Sequence, residues 1–119
     1  MTNIETKEAE VIYEGKRFRL REIRSAVDIA RLFAKTRLYS MGLENFKLSN
    51  GEVIDIPSDL AIACVWVEAS LVEPKMSFQE LVEMSLQSGA LIFVLLEKTL
   101  ELCGMLEEEE VGRMEVKSE

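Results

Sequence analysis

Pro57-Ser58-Asp59-Leu60-Ala61-Ile62-Ala63-Cys64-Val65-Trp66-Val67-Glu68-Ala69-Ser70-Leu71-Val72-Glu73-Pro74 is the stretch on which the fold turns. Between residues 60 and 72 the only charge is Glu68. A helix that shows a polar face to water needs polar residues at a period near 3.6, and this one has none, so it must be covered on several sides. Pro57-Ser58-Asp59 supplies an N-terminal start, and Pro74 disfavours helical geometry at Glu73. The spacing predicts a helix over residues 58–72.

C-terminal to that stretch, Ser77-Phe78-Gln79-Glu80 has the form of a capping box, in which Ser77 and Glu80 satisfy each other's end amides. The helix it opens carries Phe78, Leu81, Val82 and Leu86 on one stripe and stops near Ser88-Gly89. A last helix over residues 90–103 ends at Gly104, a residue suited to a left-handed cap. Its first half, residues 90–96, contains no charge.

N-terminal to it, Val11-Ile12-Tyr13, Glu14-Gly15 and Lys16-Arg17-Phe18-Arg19-Leu20 read as a β-hairpin. Its second arm alternates strictly, with Phe18 and Leu20 on one face and Arg17, Arg19 and Arg21 on the other. Ser25 is an N-cap for a helix running to about Met41 and ended by Gly42, with Ile29, Ala30, Leu32, Phe33 and Leu38 on its apolar side. Phe46-Lys47-Leu48, Asn50-Gly51 and Val53-Ile54 fit either a second hairpin or a loop. These elements predict a mainly α fold: about four helices in a compact bundle with a short N-terminal β-hairpin. The expected organisation is a flexible N-terminus (residues 1–9), one mainly helical domain (residues 10–105) and a flexible acidic tail (residues 106–119).

The 119 residues carry a net charge of −8, are 48% hydrophobic and 30% charged, and include no histidine. Without histidine the chain lacks the commonest general base and zinc ligand, and the usual partner of a Ser or Cys nucleophile. The two cysteines, Cys64 and Cys103, are too few for a disulfide framework, lack the spacing of a zinc site, and have no basic neighbour to activate them. Glu68 and Glu73 form no pair with a second catalytic role beside them, and the glycines are scattered rather than gathered in a phosphate loop. The expectation is a non-enzymatic protein with no catalytic residue, metal or cofactor. A polar, acidic N-terminus and apolar runs far shorter than ~20 residues argue against a signal peptide and a membrane span. With unpaired thiols, they point to the cytoplasm.

Two features bear on partners. Residues 16–37 hold eight basic side chains, Arg19, Arg31 and Lys35 among them, against Glu22 and Asp28, a balance of +6 that leaves −14 elsewhere. A plain solvated face, a dock for an acidic segment and a nucleic-acid site all fit this cluster, in descending order. The acidic total and the lack of a recognition motif place nucleic acid last. The second feature is the two apolar helices. Either one of them forms the centre of a compact core, or part of their surface is covered by sister subunits or a partner's helix. Trp66, Met84, Phe93 and Met105 are the candidate anchors, because large aromatics and pliable methionines enrich such surfaces. The run of four glutamates at residues 107–110 reads as a solubilising tail or as a contact for a basic partner.

The order of features resembles the tail assembly chaperones of long-tailed bacteriophages and prophages. The resemblance rests on Val72-Glu73-Pro74-Lys75-Met76-Ser77, the capped helix with Phe78, Leu81 and Leu86, Gly89-Ala90, and the close Leu100-Glu101-Leu102-Cys103-Gly104. It covers about residues 59–104; Cys103 stands where such a close has serine, and the basic segment has no counterpart. It implies a small, mostly helical, self-associating cytoplasmic protein without chemistry. Such a protein coats the hydrophobic tape-measure protein and then gives way to the tail-tube subunits. A longer form made by frameshifting near the acidic end also belongs to that picture.

Overall fold

The computed structural model describes residues 6–105. The elements follow in the order β1 (Glu8–Tyr13), β2 (Lys16–Arg21), α1 (Ala26–Leu38), β3 (Leu43–Lys47), β4 (Val53–Ile56), α2 (Ser58–Ser70), β5 (Leu71–Glu73), α3 (Phe78–Gln87) and α4 (Gly89–Leu102). Helices take 50% of the described residues and strands 24%, in two antiparallel sheets of three and two strands. The expected mainly α bundle is therefore corrected to an α+β fold. All four helices are present near their expected positions, and the difference lies in how much chain pairs as strand.

The first sheet has the order β1-β2-β5. Glu14 and Gly15 both have positive φ (50° and 82°), the geometry of a two-residue hairpin turn whose twist matches its strands. Leu71 and Val72, expected as the end of the preceding helix, instead leave it and, with Glu73, form a strand that pairs with β2 at Leu20↔Leu71 and Arg19↔Glu73. Leu71 keeps its side chain in the core by doing so. Ser70, the last helical residue, is buried, and its Oγ donates to the Arg21 carbonyl at 2.7 Å. One hydrogen bond thus ties the end of α2 to the end of β2.

The second sheet is a hairpin, β3 with β4, in register Leu43↔Ile56, Phe46↔Ile54 and Lys47↔Val53. Its connection is longer than a two-residue Asn-Gly turn: Leu48 N–H donates to the Glu52 carbonyl at 2.7 Å, and only Gly51 has positive φ there. Glu44 and Asn45 together face Asp55, a bulge in which Asn45 (φ 58°) donates its N–H to the Asp55 carboxylate at 3.0 Å. Gly42 (φ 79°) serves this sheet rather than the end of α1. A Cβ there would stand 2.5 Å from the Ile56 carbonyl oxygen, so the close approach of chain to chain requires glycine. The helix itself ends at Leu38, capped by Tyr39.

The core lies between the inner face of the first sheet (Val11, Phe18, Leu20) and the helices, with α2 at its centre. α4 packs across β1 and β2 on one side and α2 on the other; α1 and α3 pack on the remaining flanks of α2. Seven residues of α2 are buried, among them Ala61, Ala63, Cys64 and Val67. Small residues at 61 and 63 let neighbouring elements approach closely. α1, α3 and α4 together cover α2, and the first sheet closes the core behind α4.

The expected helix caps are present. Ser25 accepts from the Asp28 N–H, and Ser77 with Glu80 forms the reciprocal capping box. Glu68 adds a third contact at this join, accepting from the Phe78 N–H at 3.1 Å. Phe78 lies against Tyr39 and Phe46, with ring centroids 5.6 and 5.9 Å apart, so the start of α3 joins the end of α1 to the second sheet. Gly104 takes the expected left-handed conformation (φ 75°). The acidic run at residues 107–110 lies outside the described residues, whereas β1 already begins at Glu8.

Candidate functional site

Ionic contacts come first, because the basic segment is the strongest charge feature of the sequence. Register places Glu8 opposite Arg21 and Glu10 opposite Arg19 on the outer face of the first sheet. Arg21 meets Glu8 at 3.0 Å, Arg19 meets Glu73 at 3.3 Å and Glu8 at 3.8 Å, and Arg17 meets Glu10 at 3.7 Å. Three arginines and three glutamates form a ladder, exposed and individually weak. On and before α1, Arg31 pairs with Asp28 at 3.6 Å and Arg24 with Glu22 at 3.9 Å. Among the described residues, Lys16, Lys35 and Arg37 make no ion pair. The three carboxylates from outside the segment, Glu8, Glu10 and Glu73, thus offset about half of its +6 balance.

The candidate anchors separate. Trp66 is 4% exposed and belongs to a second core cluster with Ile23, Leu32 and Val65. Its Nε1 donates to the Thr36 Oγ1 at 3.1 Å, that hydroxyl donates to the Leu32 carbonyl, and Phe33 packs edge-on to its ring at 5.6 Å. The indole holds α1 to α2 and offers no surface to a partner in this chain. Phe93 is 45% exposed on α4, beside exposed Val94 and one turn beyond exposed Ala90. Met105 is exposed just past the end of α4, and Met84 is half-buried on α3.

α1 has a second face. With Leu32 buried against α2, Val27 and Leu38 point outward, and Leu38 is 76% and Met41 91% exposed. At 100° per residue Val27, Ala34 and Leu38 fall within about 40° of one another. Arg31 and Lys35 flank that line on one side and Arg37 on the other. Arg31 and Lys35, with Ile23, Leu32 and Ala69, also line a shallow recess of about 230 Å³.

A concavity of about 740 Å³ opens where β5 stops. Phe18, Pro74, Met76 and Met84 give it an apolar floor, and Lys16, Arg17, Arg19, Glu10 and Glu73 a charged rim. It brings Arg19 and Met84 together, which the sequence named for separate reasons. Arg17, Met76 and Pro74 were not among the sequence candidates. The signals present were the alternation of residues 16–21 and a proline directly after an apolar run.

Titratable chemistry is sparse. Burial, with Glu68 nearby, pushes the Cys64 thiol up to about 12, and burial also raises Cys103, whose Sγ accepts the Ile23 N–H at 3.4 Å. Both are free thiols, and burial favours the protonated form of each. Glu83 is held below the usual carboxylate range by the Ser49 N–H at 2.7 Å, then by hydrogen bonds from Gln79 and the Ser49 hydroxyl. That carboxylate fastens the β3–β4 loop to α3. Among the described residues no cluster is placed to hold a metal ion, and no helix is long and apolar enough to cross a membrane. The chain matches no protein-family model, no curated protein and no solved structure.

Proposed function

We propose that the chain is a non-enzymatic binding protein that covers an apolar helical client, and that it self-associates through the same kind of surface. The observation that carries this reading is the pair of outward apolar helix faces, Ala90-Phe93-Val94 on α4 and Val27-Ala34-Leu38 on α1. At roughly 25 cal/mol per Å² of apolar area, a few such side chains suffice for reversible binding. The specific form proposed is the tail assembly chaperone: occlusion of a tape-measure-like protein in the host cytoplasm, later displaced by tail-tube subunits. A fold that buries one apolar helix and leaves apolar side chains exposed on two others is compatible with that role. Binding of nucleic acid through residues 16–37 is disfavoured, since the carboxylates of Glu8, Glu10 and Glu73 stand where phosphates would.

The test is a titration of a synthetic amphipathic peptide helix into the protein, read by fluorescence anisotropy, together with sedimentation at several concentrations. Saturable binding weakened by Phe93→Asp supports the proposal. A strict monomer that ignores the peptide overturns it.

A further inference from the structure

The geometry points to a strand-addition site on β2: the groove beyond Glu73 takes an extended partner segment of apolar–acidic–apolar sequence. This goes beyond the helical client proposed above and uses a different surface.

β5 ends at Glu73, directly before Pro74, while β2 runs on to Lys16. In a two-residue hairpin the residues flanking the turn, Tyr13 and Lys16, exchange both backbone bonds, and bonding then alternates along the strand. Phe18 and Leu20 thus spend their backbone groups on β1, and Arg17, Arg19 and Arg21 turn theirs to the opposite side. Two contacts agree: Arg19 pairs with Glu73, and the Arg21 carbonyl accepts the Ser70 hydroxyl. Arg17 is the third in that row, and among the described residues no strand pairs with it there. A free edge amide and carbonyl beside a recess is a template for another strand.

The side chains define the occupant. A residue directly opposite Arg17 shares its face of the sheet, the outer charged one. The Arg17 side chain is 75% exposed, with one carboxylate, that of Glu10, at 3.7 Å, so a second carboxylate is welcome there, as Glu73 is beside Arg19. The residues on either side of it point to the inner face, over Phe18, Met76 and Met84. Lys16, at the open end, adds a positive charge. An extended segment with an acidic residue between two apolar ones fits all of these, whereas a phosphate backbone could not extend the ladder.

The probe is a fluorescein-labelled peptide, acetyl-Ser-Val-Glu-Val-Ser-amide, titrated into the full chain and read by anisotropy. Saturable binding is expected, weakened about five- to tenfold when the peptide's Glu is replaced by Lys. Arg17→Glu should reverse that preference, and N-methylation of the central peptide nitrogen should abolish binding to both. Hydrogen exchange at the Arg17 amide should slow on binding. Equal binding of the N-methylated peptide, or no saturation at millimolar concentration, would overturn the assignment. Met114-Glu115-Val116 has the same pattern within this chain. If Glu115→Lys alone changes Arg17 amide exchange without peptide, the occupant is internal and the partner assignment is overturned. The helical-peptide titration repeated on Arg17→Glu should be unchanged, so failure of this site and failure of the helical-client reading are separately visible.

Discussion

α2 and α4 read alike as sequence, each with a long uncharged apolar run, yet the fold uses them differently. α2 is enclosed by α1, α3 and α4 and buries seven of its thirteen residues; α4 buries four of fourteen and turns Phe93 and Val94 to water. Composition says that a helix needs cover, and topology says whether its own chain provides it. A helix set among three others is covered internally. One laid across a hairpin keeps part of its apolar back exposed.

The most direct way to break this contrast is to truncate the aromatic side chain each helix contributes. Trp66→Ala removes a ring packed against Ile23, Leu32 and Phe33, and the Nε1 hydrogen bond to Thr36. It is expected to destabilise the protein by about 3–5 kcal/mol in urea unfolding. A loss under about 1 kcal/mol would mean that the indole is not part of the interior, and the distinction between the helices would fail.

Ser70→Ala tests the polar end of α2. It leaves the Arg21 carbonyl without its hydroxyl donor at the point where the chain passes into β5. The expected cost is about 1–2 kcal/mol, with faster hydrogen exchange in β5 than in α4. A uniform change across both would show that the join is not local.

A smaller effect separates apolar cover from ionic cover. The apolar contacts of α2 involve no carboxylate, but the hold of α3 on the β3–β4 loop runs through the Glu83 carboxylate. Its pKa is lowered in the folded state, so its contribution is fully present above the ordinary glutamate pKa. It fades as pH falls through the lowered value. Amides of the second sheet should lose protection in that acid window before those of α2, and Glu83→Gln should remove the difference. Simultaneous loss in both regions would place the acid sensitivity elsewhere.

What the sequence disclosed follows the range of the interactions involved. The helices are local: Ser25 and the Ser77–Glu80 box mark starts, Gly104 marks a stop, and all of these signals lie within a few residues of the elements they bound. The first hairpin is also local, closed by Glu14-Gly15. β5 is not. Leu71-Val72-Glu73 is short and continues an apolar helix without a break in pattern; only pairing with Arg19 and Leu20, some fifty residues earlier, makes it a strand. Missing it leaves the first sheet as a lone hairpin, and the fold then reads as a helical bundle. The groove shares that origin, since its floor and rim come from β2, the turn after β5, and α3. Arg19 and Met84 were legible as an exposed arginine and a pliable methionine, but not as neighbours. Trp66 was legible as a large aromatic, but not as the residue that α1 closes over.

Phe93→Ser has the least expected effect on folding and the most to say about use. The side chain is nearly half exposed, so its replacement removes little buried area, and the change in unfolding free energy should stay below about 1 kcal/mol. Sedimentation and peptide titration should respond where unfolding does not, with self-association and helical-peptide affinity both falling. If instead Phe93→Ser costs as much stability as Trp66→Ala, α4 is covered within the chain as fully as α2. Its apolar surface would then need no partner to explain it. If stability and binding are both unmoved, Val27 and Leu38 on α1 become the face that meets the client. The same pair of measurements on Leu38→Ser then decides between the helices, because that side chain is 76% exposed and lies on the far flank of α2.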